Sequence, residues 1–215
     1  MDVINLIKEY KEEIFNKLSR DKRSFNDYNY ILTEFKTGDI VNNDEFKKVY
    51  KRFYVLNAGG LGQKLIDRYF ELLEQKETDL KNILVELSKI PRLNGKPAIL
   101  LSFASKLIHT IDNSQPIYDS RVAKIFNIEL NYSIEDVNER INDRLATYNL
   151  LKKKFSEILA NQEVKKIIHG FKEGLRVDIG EVKMLDFILW KLGGELLAKA
   201  KKSSKFRPRL ILLIC

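Results

Sequence analysis

Phe103-Ala104-Ser105-Lys106-Leu107-Ile108-His109, followed after a short break by Pro116-Ile117-Tyr118-Asp119-Ser120-Arg121-Val122, reads as helix, break and helix. Pro116 fixes its own φ and keeps Gln115 extended, so the chain should reach Asp119 without helical hydrogen bonds and start a new helix there. A carboxylate at such a junction is an N-cap worth about 0.5–2 kcal/mol. It is also how a helix N-terminus presents an acid to a ligand, and on local sequence alone the cap is the commoner role.

Outward from this stretch the periodicity stays helical. Val3, Ile7, Tyr10, Ile14 and Leu18 recur at steps of three and four, so residues 3–19 form an amphipathic helix with one buried face. Further helices are expected near 25–36, 43–57, 61–75, 78–90, 97–111, 120–127, 134–160, 162–175 and 181–200. The breaks fall at Gly38-Asp39, Gly59-Gly60, Pro91 through Pro97, Asn113 through Pro116, and Asp178 through Gly180. One apolar run of strand character, Leu210 to Cys215, stands alone at the end. The fold class is therefore all-α, with two helical lobes. Residues 1–200 form one helical unit, and 201–215 a basic and then apolar C-terminal tail.

Composition excludes several classes. The chain has 215 residues, 44% hydrophobic and 32% charged, enough for a sizeable core and unlike a disordered segment. Its single cysteine, Cys215, gives no intrachain disulfide and no cysteine-based zinc site, which fits a reducing cytoplasm. With His109 and His169 the only histidines, no metal centre is expected, and neither has a Ser or Cys arrangement suited to a nucleophilic triad. No apolar run approaches the ~20 residues that span a bilayer, and Met1-Asp2-Val3 opens no signal-peptide pattern.

Lys and Arg number 38 against 30 Asp and Glu, a net charge of +8. Such a balance attracts polyanions through counterion release without identifying one. Much of it is interleaved, as in Lys8, Glu9, Lys11, Glu12 and Glu13, and faces of that kind are usually solvated. Three runs are one-sided: Lys47, Lys48, Lys51 and Arg52; Lys152 to Lys154; and Lys199, Lys201, Lys202, Lys205, Arg207 and Arg209. These can line a phosphate track. Among them, Phe46, Tyr50, Phe53 and Leu56 fall at helical spacing and read more simply as a buried stripe than as base-stacking residues.

The Ala104-Ser105 pair and Asp119 resemble the helix-hairpin-helix superfamily of DNA glycosylases, closest to the archaeal-type 8-oxoguanine DNA glycosylase/AP lyase family. There an Ala-Ser dipeptide opens the helix after the hairpin and the catalytic aspartate follows at a comparable offset. Leu185-Asp186-Phe187-Ile188-Leu189-Trp190 with Gly193-Gly194 is similar to the family's Leu-Asp-Leu-x-x-Trp segment, and Phe53-Tyr54-Val55-Leu56-Asn57-Ala58 to its apolar helix ending in a Leu-Thr-Ala-Asn-like turn. The three occur in the family's order and together span most of residues 42–200.

The resemblance implies base excision from DNA, with 8-oxoguanine as the suggested lesion and no cofactor. Asp119 would stabilise the oxocarbenium-like state and activate the nucleophile. Asp186 and Trp190, four apart on one helical face, would wall the base pocket, although a lone tryptophan in a small helical protein is more often core. The hairpin would be Ile90 through Pro97, with Arg92, Asn94, Gly95 and Lys96 meeting phosphate, Pro97 starting the next helix, and Arg121 a further DNA contact. It has one glycine rather than two, and an ordinary loop would look much the same. Ser102 stands where bifunctional members carry their nucleophilic lysine. Lys106, one turn on, or Lys96 can substitute; failing both, Asp119 supports a monofunctional enzyme. The rivals are a non-catalytic DNA-binding protein of the same fold and a helical interaction module with an acidic partner.

Overall fold

A computed structural model of the chain describes residues 2–56, 61–97 and 99–205. Among them lie ten α-helices and no strand: α1 Val3–Ser19, α2 Lys22–Thr37, α3 Asp44–Phe53, α4 Gln63–Glu74, α5 Leu80–Ser88, α6 Leu101–Ile111, α7 Ser120–Ile125, α8 Val137–Leu159, α9 Gln162–Leu175 and α10 Glu181–Lys205. The protein is all-α. None of these helices is long and apolar enough to cross a membrane.

Helix starts follow local chemistry. Asp2, Asn43, Asp79, Asp119, Asp136 and Asn161 each accept a first-turn backbone N–H through the side chain, satisfying donors that a helix cannot pair internally. The apolar stripes then meet in one contiguous core. Ile7, Ile14 and Leu18 of α1 are buried, and α1 packs on α9 and α10. In α10, Met184, Leu185, Ile188, Leu189 and Leu192 are buried, and this helix also packs on α7, α8 and α9. In α6 both faces are largely enclosed: Ala104, Ser105, Leu107, Ile108, His109 and Thr110 are all buried, with α2, α4 and α5 as neighbours. Phe46 and Tyr50 lie in the same core, where the Tyr50 hydroxyl meets Tyr69 at 2.9 Å and Thr110 at 3.0 Å.

Three element boundaries differ from the sequence reading. The helix expected over 43–57 ends at Phe53, because Leu56 N–H bonds to Lys51 C=O and Val55 N–H to Arg52 C=O while Val55 takes φ 55°. That is a Schellman ending with a β-branched residue at the left-handed position where glycine is usual. The helix expected from Pro97 begins at Leu101 instead. Residues 91–97 form a miniature hairpin, with an antiparallel bridge between Pro91 and Pro97, Arg92 N–H on Lys96 C=O at 2.9 Å and Gly95 N–H on Arg92 C=O at 2.8 Å. Gly95 at φ 77° permits the reversal, and Pro97, held in the bridge, is not the first helical residue. At the other end, α10 continues to Lys205, into what reads as a tail; 206–215, with the apolar run and Cys215, lie outside the described residues. So do Asn57 and Ala58 of the third similar segment.

Candidate functional site

Asp119 owes its position to a buried polar scaffold. The segment between α6 and α7 has no regular hydrogen-bond ladder, so its backbone groups need side-chain partners. Ser105 and His109, four apart on one face of α6, supply two. Tyr118 N–H donates to Ser105 Oγ at 2.9 Å, and His109 Nδ1 lies 2.6 Å from Gln115 C=O. A third comes from α8, whose Tyr148 hydroxyl donates to Pro116 C=O at 2.9 Å.

A carbonyl can only accept, so His109 carries its proton on Nδ1, and Nε2 accepts from the Tyr28 hydroxyl at 3.0 Å. Burial, helped by the nearby Lys183 charge, pulls the His109 pKa down to about 3. The imidazole is a neutral strut between α2 and the Asp119 segment.

Asp119 enters α7 with extended backbone, φ −120° and ψ 137°, and its Oδ1 accepts Arg121 N–H at 2.8 Å. It lines a cavity of about 370 Å³, within the size range of small-ligand sites. Lys106, Asp186 and Trp190 line the same cavity, joined by Phe53, Tyr54, Val55, Ile117, Lys183 and Phe187. Residues from five parts of the sequence thus converge: the start of α2, the end of α3, the middle of α6, the entry to α7 and the first half of α10.

Lys106 reaches across to the C-terminus of α3, where its Nζ donates to Tyr54 C=O at 2.9 Å and lies 5.0 Å from the Phe103 ring centroid. Burial pulls its pKa down to about 8; Asp119 and Asp186 oppose that shift and Lys183 adds to it. A lysine with that titration point is a free amine far more often than a surface lysine at neutral pH.

Asp186 is buried and ion-paired to Lys183 at 2.7 Å. Trp190 is 37% exposed, not core. The Arg121 guanidinium stacks over it at 4.5 Å from the ring centroid. Arg121 therefore sits at the edge of the cavity through its contact with Trp190. The turn bearing Arg92, Asn94, Gly95 and Lys96 contributes no residue to the cavity lining.

The remaining charges of the wall neutralise one another. Asp27 accepts from Arg52 at 2.8 Å and 3.1 Å and has Arg23 within 3.8 Å; Asp21 accepts from Lys191 at 2.6 Å. Among the described residues lining the cavity, the charged side chains that form no ion pair are Asp119 and Lys106.

Sequence reasoning missed Lys183 and the strained turn at Val55. Lys183 was legible in principle, since with Asp186, Phe187 and Trp190 it falls at helical spacing on one face of α10, a lysine within an apolar run. The Val55 turn had no such signal. No group of three or more His, Cys, Asp or Glu that could hold a metal ion occurs among the described residues. Comparison with protein-family models, curated proteins and solved structures finds no match.

Proposed function

We propose that this protein is a DNA glycosylase of the helix-hairpin-helix kind that cleaves the N-glycosidic bond of a damaged base such as 8-oxoguanine. The observation that carries the reading is that Asp119 and Lys106, alone among the described charged residues lining the cavity, are in no ion pair. A carboxylate facing the cavity suits base excision, and a desolvated amine beside it suits the Schiff-base chemistry of a bifunctional enzyme. As the C1′–N bond lengthens, positive charge grows on the deoxyribose, and the Asp119 carboxylate in a partly desolvated wall stabilises it. The Lys106 amine, or a water oriented by Asp119, then attacks C1′ while the bonding pair leaves with the base.

An extruded base is read in this scheme by Trp190, which offers an aromatic wall, and by Asp186, which offers an acceptor at the cavity floor. The α5–turn–α6 unit is a degenerate hairpin in this reading, and the cavity is the cleft between two helical lobes. The exposed turn around Asn94, Gly95 and Lys96, with Arg92 and Arg121, would contact the phosphate backbone, with affinity falling steeply as salt rises.

Incubation with a duplex containing 8-oxoguanine, followed by alkali, reads base removal; borohydride reads an imine on Lys106. Strand cleavage that Asp119→Asn abolishes supports the proposal. Salt-dependent binding without excision supports the non-catalytic DNA-binding protein instead, and absence of DNA binding supports a helical interaction module.

A further inference from the structure

Lys183 is a second amine in the cavity, and its surroundings differ from those of Lys106. Its side chain is 3% exposed. The Nζ lies 5.2 Å from the ring centroids of Tyr28 and Phe53, 5.8 Å from Tyr54 and 4.6 Å from Phe187, and 2.7 Å from the Asp186 carboxylate. Four aromatic faces and a carboxylate are the partners of an ammonium ion. Lys106 touches one carbonyl and one ring. The two lysines meet on Tyr54, Lys183 against its ring and Lys106 on its carbonyl oxygen.

Two carboxylates, Asp119 and Asp186, act on Lys106 and favour its charged form. In a poorly solvated cavity both would hold the proton on the amine, which cannot then attack carbon. We propose that Lys183 is a positioning residue: an internal counter-ion that occupies Asp186, so that the cavity can keep this carboxylate without its acting unopposed on the Lys106 amine. The inference rests on the reading of Lys106 as the reacting group. The other charges of the wall, Asp21, Arg23 and Asp27 from α2, Arg52 from α3 and Lys191 from α10, are paired among themselves and leave this balance to Lys183, Asp186 and Asp119.

The test reads the titration of Lys106 directly, without DNA, by site-resolved trace acetylation and mass spectrometry between about pH 6 and pH 10. Lys183→Met leaves Asp186 unpaired and should move the Lys106 titration up by about one pH unit, a roughly tenfold loss of free amine below the midpoint. Asp186→Asn should move it down. The double variant Lys183→Met/Asp186→Asn should return to within a few-fold of the parent, and Lys183→Arg should stay close to it. Opposite shifts from the two partners, with rescue in the double variant, are not produced by loosened packing. An unmoved titration in Lys183→Met, or a double variant that behaves like it, overturns the proposal. Should Lys183→Met fail to fold, Asp186→Asn decides, and an unmoved or raised titration there is equally fatal. Excision activity is scored separately, so a correct charge balance in a protein that cuts no DNA would remove the glycosylase reading and leave this pairing standing.

Discussion

Gly193 of α10 lies so close to Arg121 that a Cβ on it would stand 3.1 Å from the Arg121 carbonyl oxygen and 3.3 Å from the Arg121 Cβ. This is how α7, whose first turn Asp119 caps, is seated against the helix that bears Asp186 and Trp190. Gly193→Val must push the two helices apart, with an expected loss of about 1–3 kcal/mol from overpacking. Gly193→Ala gains ~1 kcal/mol of helix propensity that offsets a smaller clash. Its stability should therefore stay within about 1 kcal/mol of the parent in urea unfolding, while base excision falls at least several-fold. Equal activity in Gly193→Ala and parent would show that the α7–α10 spacing does not govern the site.

Two substitutions separate the structural role of Asp119, the cap of α7, from the chemical role proposed for it. Asparagine is as good an N-cap as aspartate, whereas alanine forfeits about 0.5–2 kcal/mol. Asp119→Asn should thus melt near the parent temperature and Asp119→Ala several degrees lower, yet both should lose excision by two orders of magnitude or more. If activity followed stability across the pair, Asp119 would be a cap and nothing else.

The helices were legible because their causes are local. Val3, Ile7, Tyr10, Ile14 and Leu18 announce α1 by spacing, and Asn161 ahead of Gln162 announces the start of α9 by its capping oxygen. Asp119 was legible for the same reason, Pro116 and the cap being neighbours in sequence. What periodicity cannot give is a contact between distant segments. That Lys106 would meet the Tyr54 carbonyl depends on α3 stopping at Phe53, and nothing in Tyr54-Val55-Leu56 signals a left-handed valine. Trp190 shows the limit of frequency arguments. A lone tryptophan in a small helical protein suggests core, but its place on α10 brings it to the cavity edge under Arg121.

Val55 stores backbone strain beside the cavity. It is 60% exposed, so its side chain gains little from burial, while its φ of 55° costs a β-branched residue about 1–2 kcal/mol. Val55→Gly should stabilise the protein by about 1 kcal/mol, seen as a rise of a few degrees in Tm. A lower Tm would mean that the valine side chain contributes more at the cavity edge than its strain removes.

His109 makes stability depend on pH in a defined direction. Its native pKa is about 3, whereas the unfolded side chain titrates near 6.5. Between these values the unfolded chain binds a proton that the native protein does not, so stability rises with pH across this window and is lost as pH falls below about 6.5. At pH 5 the loss from this one group is ~2 kcal/mol relative to pH 7. His109→Gln should be less stable at pH 7 by about 1–3 kcal/mol, because a buried partner is left unpaired, and should show a flatter profile between pH 5 and pH 7. Urea unfolding at both values measures the difference.

Lys106 gives the sharpest pH signature. An ordinary lysine gains free amine roughly tenfold per pH unit up to about 10.4. With its native pKa at about 8, Lys106 should yield borohydride-trapped complex that rises with pH only to about that value and then levels off. The same depression means that the cavity disfavours the ammonium. Below about pH 8 the charged form costs stability, and this cost is relieved as pH climbs from there towards the unfolded value. Lys106→Met, which fills similar space without charge, should therefore abolish trapping and raise stability by about 1–2 kcal/mol at pH 7, the gain shrinking above pH 8. A lysine retained only for solubility would show neither the plateau nor the gain. One retained for its chemistry, at the expense of the fold, should show both.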